Sequence, residues 1–405
     1  MTTRPAAALS VPLILAGAVL SAALGMGLRQ SFGLFLAPMT LANGWTTSGF
    51  AFAIAVQVLV NGITSPIAGQ LADRYGSRKV VMAGAAMWAV GTAGMALAPD
   101  LPTFILFAGV INGTAVSFCG FPVIVASLAR QLPPELRARA TGLGTAGSSF
   151  GQFLIVPLSG FALAGLGWQA ALLAMAATGL LLIPLSLVLK NTPPEPAAGA
   201  MPEQTAGEAL RSALRSPMFW CLFWGFFVCG VHISFLTVHL PGFIATCHLP
   251  SYLGPVSIAL VGLFNAAGSL AAGELTQRWK RRELLMLIYA SRSLLMAAFL
   301  LGPKTPETVL AFSAVMGILW LSTVPPTVAL CARLFGTRWL ATIFGLVFLG
   351  HQIGGFSGAY LGGVIFDRTG SYDSMWLICI AAGLFAALVH LPLREPTPRP
   401  IPATA

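Results

Sequence analysis

Two arginines stand inside long apolar stretches of this chain, Arg29 and Arg292. An arginine in hydrocarbon costs about 2.5–3.5 kcal/mol on insertion scales unless something compensates it. Arg29 is followed by Gln30 and Ser31, and a guanidinium suits a carboxylate through paired hydrogen bonds. No acid accompanies it, so Arg29 either binds an anion that arrives as substrate or donates to backbone carbonyls. Arg292 is expected to be structural, capping carbonyls or reaching a polar neighbour. Among the histidines, His232 lies 203 residues after Arg29 (232 − 29), His351 precedes Gln352 midway along a later apolar run, and His239 lies nearer the end of its run. Each is a hydrogen-bonded packing residue or a proton carrier. His248 and His390 sit near run ends and are expected to pack.

The acids complete the pattern. All 12 Asp and Glu residues fall in loops or at the ends of apolar runs. A carrier of cations needs a buried carboxylate, so transport of cationic drugs and carboxylate-based sugar–proton symport are disfavoured. Intramembrane enzyme chemistry is also disfavoured, because there is no HExxH, no GxGD, and no Ser/Lys or Cys/His pairing at helical spacing. The six cysteines, Cys119, Cys221, Cys229, Cys247, Cys331 and Cys379, lie in or beside apolar runs without a CxxC, which makes them small core residues. Neither a disulfide framework, a metal site nor a cofactor is expected.

The elements that must position these residues follow from composition. With 57% hydrophobic and 8% charged residues in 405 and a mean hydropathy of +0.84, the chain belongs in a bilayer, since a soluble domain is about 25% charged. Runs of about 20 apolar residues can span. Twelve are found: 11–39, 47–71, 79–98, 102–131, 138–164, 168–190, 216–246, 252–277, 283–302, 306–333, 338–366 and 372–393. The first outlasts a signal-peptide core and shows no clear cleavage site, so it is expected to be retained. Residues 191–215, rich in Pro, Ala and Glu, form a linker ending in a short amphipathic piece. The expected organisation is an N-terminal six-helix bundle over 1–190, a cytoplasmic linker over 191–215, and a C-terminal six-helix bundle over 216–405.

The halves repeat. A charged hinge, GQLADRYGSRK from Gly69 to Lys79, has a weaker copy, GELTQRWKRR, from Gly273 to Arg282, 204 residues on (273 − 69). Pro122 and Pro325, and Gly151 and Gly354, are each 203 apart. In the second copy Gln277 replaces Asp73 and Lys280 replaces Gly76, so that hinge is expected to be less exacting. Placing both termini in the cytoplasm leaves only Lys304 and Arg368 outside, which the positive-inside rule selects. The +10 net charge is therefore spread over many short loops, and nucleic-acid binding is excluded.

Gly69, Leu71, Asp73, Arg74, Gly76 and Arg78 resemble the signature between the second and third helices of the major facilitator superfamily. Within it, RQSFGLFLAPM, NGWTTS and FDRTGSYD are similar to bacterial relatives of the monocarboxylate and oxalate/formate transporter group. That resemblance implies an all-α integral membrane protein, twelve transmembrane helices in two six-helix pseudo-repeat bundles around a central cavity. It also implies that Gly69, Asp73, Arg74, Gly76, Arg78 and, in the second copy, Arg278 act in conformational gating. The pattern departs in the eighth run, where those carriers tend to show N-x-x-G-R and this chain reads Asn265, Ala266, Ala267, Gly268, Ser269. The missing arginine tells against simple lactate-like or oxalate-like transport. Ala108 likewise stands where many members carry a buried arginine, and the fifth run lacks the antiporter pattern.

Together these features predict a secondary transporter, not an enzyme, that moves a small organic anion by alternating access, with proton symport or exchange. The expected substrate-binding residues are Arg29, Gln30, His232, His351, Gln352, Asn265 and Asn112, with His232 facing the same cavity as Arg29. The partners are a small anionic molecule, protons and membrane lipids, with no obligate protein partner, in the cytoplasmic (inner) membrane. Export of a neutral or amphipathic compound, with Arg29 structural, is the alternative. A channel is a further one, which saturation and counterflow would separate from a carrier. The glycine-rich faces at 142–151 and 350–363 are expected to be close-packing seams that let the halves rock.

Overall fold

The structure, a computed structural model, describes residues 11–120, 123–124, 127, 134–189, 206–336 and 339–394, with the side chains at 73, 134–142, 145, 206 and 341 outside the description. Pro122 and the side chain of Asp73 thus lie outside the described residues. All regular elements among the described residues are helical. Among the described residues, nine stretches are long and apolar enough to cross a membrane. One of them, Ala146–Ser186, contains two spans, because Gly167 interrupts it at φ 79°. Leu340–Thr369 and Asp373–Val389 complete the twelve.

Spans 1 to 4 are Val11–Asn43, Thr47–Tyr75, Ser77–Leu97 and Leu101–Phe118. Spans 5 and 6 are 134–166 and 168–186, the two sides of Gly167. Spans 7 to 12 are Pro217–Thr246, Leu253–Arg278, Arg281–Leu301, Pro306–Phe335, Leu340–Thr369 and Asp373–Val389. Between the sixes, Ala206–Arg215 is a short helix that lies against spans 7 and 11. Local chemistry sets several ends: Thr46 accepts from the Gly49 amide, Asp100 accepts from the Thr103 amide, and Thr305 forms a capping box with Thr308, which satisfies amides a helix leaves unpaired.

The duplication is visible in the packing. Span 1 lies on span 5, 2 on 4 and 3 on 6, and these pairings recur as 7 on 11, 8 on 10 and 9 on 12. The glycine seams show why. A Cβ on Gly151 would strike Ala23, and one on Gly354 would strike Phe227, positions 204 apart (227 − 23). Small residues let the backbones approach, the usual device in lipid. Gly147 and Gly151 thus close spans 1 and 5 within the first half, as Gly350, Gly354 and Gly358 close spans 7 and 11 within the second. They are seams inside the halves; Gly355 lies between span 7 and span 2, and Gly363 faces span 2 across the divide. Large side chains such as Phe161, Leu294 and Leu388 point outward, as an apolar solvent requires.

Prolines act selectively. Pro66 and Pro241 sit inside continuous helices, but span 10 breaks between Leu319 and Val324. Pro325 and Pro326 cannot donate amides back to residues 321 and 322, so the helix stops and restarts.

Candidate functional site

The two halves touch along one part of their length. Span 2 meets span 11 where Gln352 Nε2 donates to the Val58 carbonyl at 2.9 Å, and where the Asp367 carboxylate accepts from the Thr47 and Ser48 amides at 3.0 and 2.7 Å. Span 5 meets span 8 through Gln152 Nε2 and the Ile258 carbonyl at 2.8 Å, and through Ser149 Oγ, which accepts from Asn265 Nδ2 at 3.1 Å. Span 1 meets span 7 where Gly33 rests on the Thr237 carbonyl. At the other end, which carries the hinge, Gly69 of span 2, Gly273 of span 8 and Gly345 of span 11 have nothing within 4 Å of where a Cβ would stand. Among the described residues, the contacts between the halves thus gather towards the Asp367 end, and the hinge-end glycines face open space.

Arg29 lies one helical turn on the hinge side of Gly33. It is half-buried, and among the described residues no hydrogen bond or ion pair engages it. The expectation that it is a donor to carbonyls finds no support. Its neighbour Gln30 is buried, and Gln30 Nε2 reaches Gln152 Oε1 at 3.4 Å, tying the Arg29 turn to the bridge between spans 5 and 8.

Arg292 is the opposite case. It is 1% exposed. Its Nε donates to the Leu319 carbonyl at 3.1 Å, Nη2 donates to the Leu319 and Trp320 carbonyls, and Nη1 approaches Cys229 Sγ at 3.4 Å. The guanidinium also lies 5.5 Å from the Tyr289 ring centroid, within cation–π range. These carbonyls are the ones the break in span 10 leaves without helical partners. The structural expectation for Arg292 is met in detail: it caps a broken helix.

Several expected binding residues point elsewhere. His232 does not face Arg29; its Nε2 hydrogen-bonds with the Cys379 carbonyl of span 12 at 2.8 Å, and its ring edge lies against Gly383. A repeat partner in sequence need not share a direction, because a histidine in lipid turns towards whatever hydrogen-bonding group is within reach. Asn112 is fully buried against span 3, donating to Thr92 Oγ1 at 3.3 Å and approaching Met95 Sδ at 3.1 Å. Asn265 is engaged on every side: beyond Ser149, its Oδ1 accepts from the Leu321 amide at 3.1 Å and from Ser269 Oγ at 3.2 Å. Ser269 thus turns back onto Asn265.

His351 remains half-buried midway along span 11, stacked on Phe348 with ring centroids 5.7 Å apart. Its Nδ1 is 3.0 Å from Gln352 Oε1. Because Gln352 spends its amide nitrogen on Val58, the oxygen faces the histidine, so Nδ1 is the protonated nitrogen and donates. The ring also hydrogen-bonds with the Cys229 side chain of span 7.

The hinge shows its special residue. Gly76 takes φ +91°, a conformation that disfavours a side chain, whereas its counterpart Lys280 has an ordinary φ of −65°. Arg74 lies over the Tyr75 ring at 5.2 Å, Arg78 is half-buried, and Arg278 pairs with Glu274 on its own helix at 2.7 Å. Missing from the sequence reading as a functional residue was Asp367, which bridges the halves. Its signal was an acid in the last turn of an apolar run, one turn after Gly363.

The model of the family described as Major Facilitator Superfamily matches residues 14–359. An uncharacterized MFS-type transporter of Bacillus subtilis is 25% identical over 92% of this chain and 93% of its own length. Monocarboxylate transporter 11 of Mus musculus is 26% identical over 94% and 86%. The 3-(3-hydroxy-phenyl)propionate transporter of Escherichia coli is 28% identical over 65% and 62%. Among solved structures, an inward-facing, unoccupied bacterial homolog of the human lysosomal transporter Spinster superposes with a TM-score of 0.74 at 18% identity, covering 96% of this chain and all (100%) of that one.

Proposed function

The chain belongs to the major facilitator superfamily, and from that premise we propose that it carries a small organic anion, a carboxylate, across the cytoplasmic membrane by alternating access. It is a multi-pass membrane transporter and not an enzyme. The single observation that carries the anion reading is Arg29, a guanidinium without a described partner beside the closure between spans 1 and 7. Such a group binds most strongly a ligand that supplies two oxygens and the missing negative charge. The relatives named for monocarboxylates and a phenylpropionate have substrates of that kind.

Both termini are cytoplasmic in this reading, because the hinge end then holds nearly all the loop bases and the Asp367 end only Lys304 and Arg368. The cavity is accordingly parted towards the cytoplasm. Arg29 takes the carboxylate, Gln30 fixes its turn against span 5, and His351, held between Cys229 and Gln352, accepts the coupled proton. Gln352, Gln152 and Asn265 serve the contact between the halves. The hinge residues Gly69, Asp73, Arg74, Gly76 and Arg78 meet their partners when the cytoplasmic end closes.

Reconstitution in proteoliposomes with labelled aromatic and aliphatic monocarboxylates tests this. Saturable uptake that shows counterflow and is lost in Arg29→Gln is expected. Transport unchanged in Arg29→Gln would refute the anion site and favour a carrier of neutral compounds.

A further inference from the structure

Spans 2 and 11 run antiparallel across the divide between the halves, and Asp367 stands in the last turn of span 11 against the first turn of span 2. A helix start presents unpaired amides and a positive dipole end. At this one, Thr46 Oγ1 takes the Gly49 amide from within the same half. The Thr47 and Ser48 amides are taken from the opposite half, by the two oxygens of Asp367 at 3.0 and 2.7 Å. Reaching them requires close backbones. Gly363, one turn before Asp367, supplies this: a Cβ there would stand 2.8 Å from Ser48 Cα and from Ala51 Cβ.

We propose that Asp367 is a positioning residue of the transport cycle, a charge–dipole latch that holds the closed end of the carrier shut and lets go when the halves rock the other way. Its chemistry suits release. Asp367 is exposed, so water can replace both hydrogen bonds as the contact opens. The deeper Gln352–Val58 bond is neutral, and the latch is the charged member of this helix pair's contact. The pair is also two-ended. Span 2 carries Asp73 in its own last turn, at the end where span 11 begins. Each helix of the pair thus carries an acid in its last turn, and here the Asp367 end is engaged while nothing lies within 4 Å of where a Cβ would stand on Gly69 and Gly345 at the opposite end.

This inference rests on the alternating-access part of the proposed function and is independent of the anion site. The test uses the full chain in lipid nanodiscs with Cys247 replaced by Ser, and spin labels on cysteines introduced at Leu41 and Ser374, exposed positions at the latch end of either half. Wild type is expected to give mainly the short distance. Asp367→Ala should raise the long-distance population about two- to five-fold, the range of an exposed charge–dipole contact. Asp367→Glu should restore much of the short distance. Gly363→Leu, a steric wedge with Asp367 intact, should lengthen the distance by a different physical route. A wedge that lengthens the distance while Asp367→Ala leaves it as in wild type would overturn the latch alone. If neither the wedge nor Asp367→Ala ever lengthens it, the rocking motion itself is refuted.

Discussion

Arg29 and Arg292 present the same side chain to the same hydrophobic medium and meet opposite surroundings. Around Arg292, the span 10 break offers two freed carbonyls, the Cys229 sulfur lies beside them, and the Tyr289 ring flanks the guanidinium. Its burial is compensated within the protein, and what it stabilises is the break itself. Arg29 sits in the last turn of the α-helix Val11–Gln30, just before the chain tightens into the 3₁₀ turn Phe32–Phe35, and it makes no described hydrogen bond to the carbonyls there. The difference teaches that an intramembrane arginine's role is set by whether its guanidinium reaches carbonyls that a helix end has freed. Where it does, as at Arg292, the arginine is a cap; where it does not, as at Arg29, it is free to meet a ligand.

Substitution should separate the two. Arg29→Gln is expected to weaken substrate affinity on the order of 10- to 100-fold, the loss of a charge-assisted contact, with little change in melting temperature. Labelled-carboxylate uptake and thermal unfolding on the same preparation check this. Arg292→Leu should do the reverse. It strands the Leu319 and Trp320 carbonyls at about 1–3 kcal/mol each, so folded yield and melting temperature fall, while the surviving protein keeps its affinity. A stable Arg292→Leu protein that has lost binding would break the comparison.

The same contrast extends to the histidines. His351→Gln should abolish the pH dependence of uptake while leaving the fold intact. His232→Gln, whose parent pairs with the Cys379 carbonyl, should lower stability by about 1 kcal/mol and leave the pH profile unchanged. Profiles of uptake against external pH for both variants decide this.

Much of this was legible in the residues. Twelve spans, the duplication and the exacting first hinge follow from hydropathy, spacing and glycine placement, and the structure supplies their reason in Gly76 at φ +91° and in the Gly151 and Gly354 seams. The two intramembrane arginines were equally plain. Side-chain direction was not. His232 and Asn112 were expected in the cavity and lie against spans 12 and 3, because a polar residue in a helix of low amphipathicity gives no sign of which neighbour it will face. Asp367 looked like an ordinary loop-end acid, since its partners are backbone amides some 320 residues away, and backbone partners leave no mark in sequence.

Smaller effects sharpen the picture at the hinges. Gly76→Ala is expected to cost about 1–3 kcal/mol through its backbone conformation, and Lys280→Ala essentially nothing, as thermal unfolding of the pair will show. Smallest is the Asp100 cap. The Thr103 amide holds its carboxyl below the usual carboxylate range, so whatever stability the cap contributes is present above the unfolded-state value and fades as the pH falls through the lowered folded one. Asp100→Asn should therefore differ slightly from wild type at neutral pH and converge with it in acid.

The most direct measurement is ligand-induced thermal stabilisation of the purified protein across a panel of monocarboxylates and their neutral amides, with wild type beside Arg29→Gln. Stabilisation of wild type by at least one carboxylate, absent with the matching amide and absent in Arg29→Gln, is the predicted result. Equal stabilisation by acid and amide, or a response that survives Arg29→Gln, would contradict an anion held by Arg29.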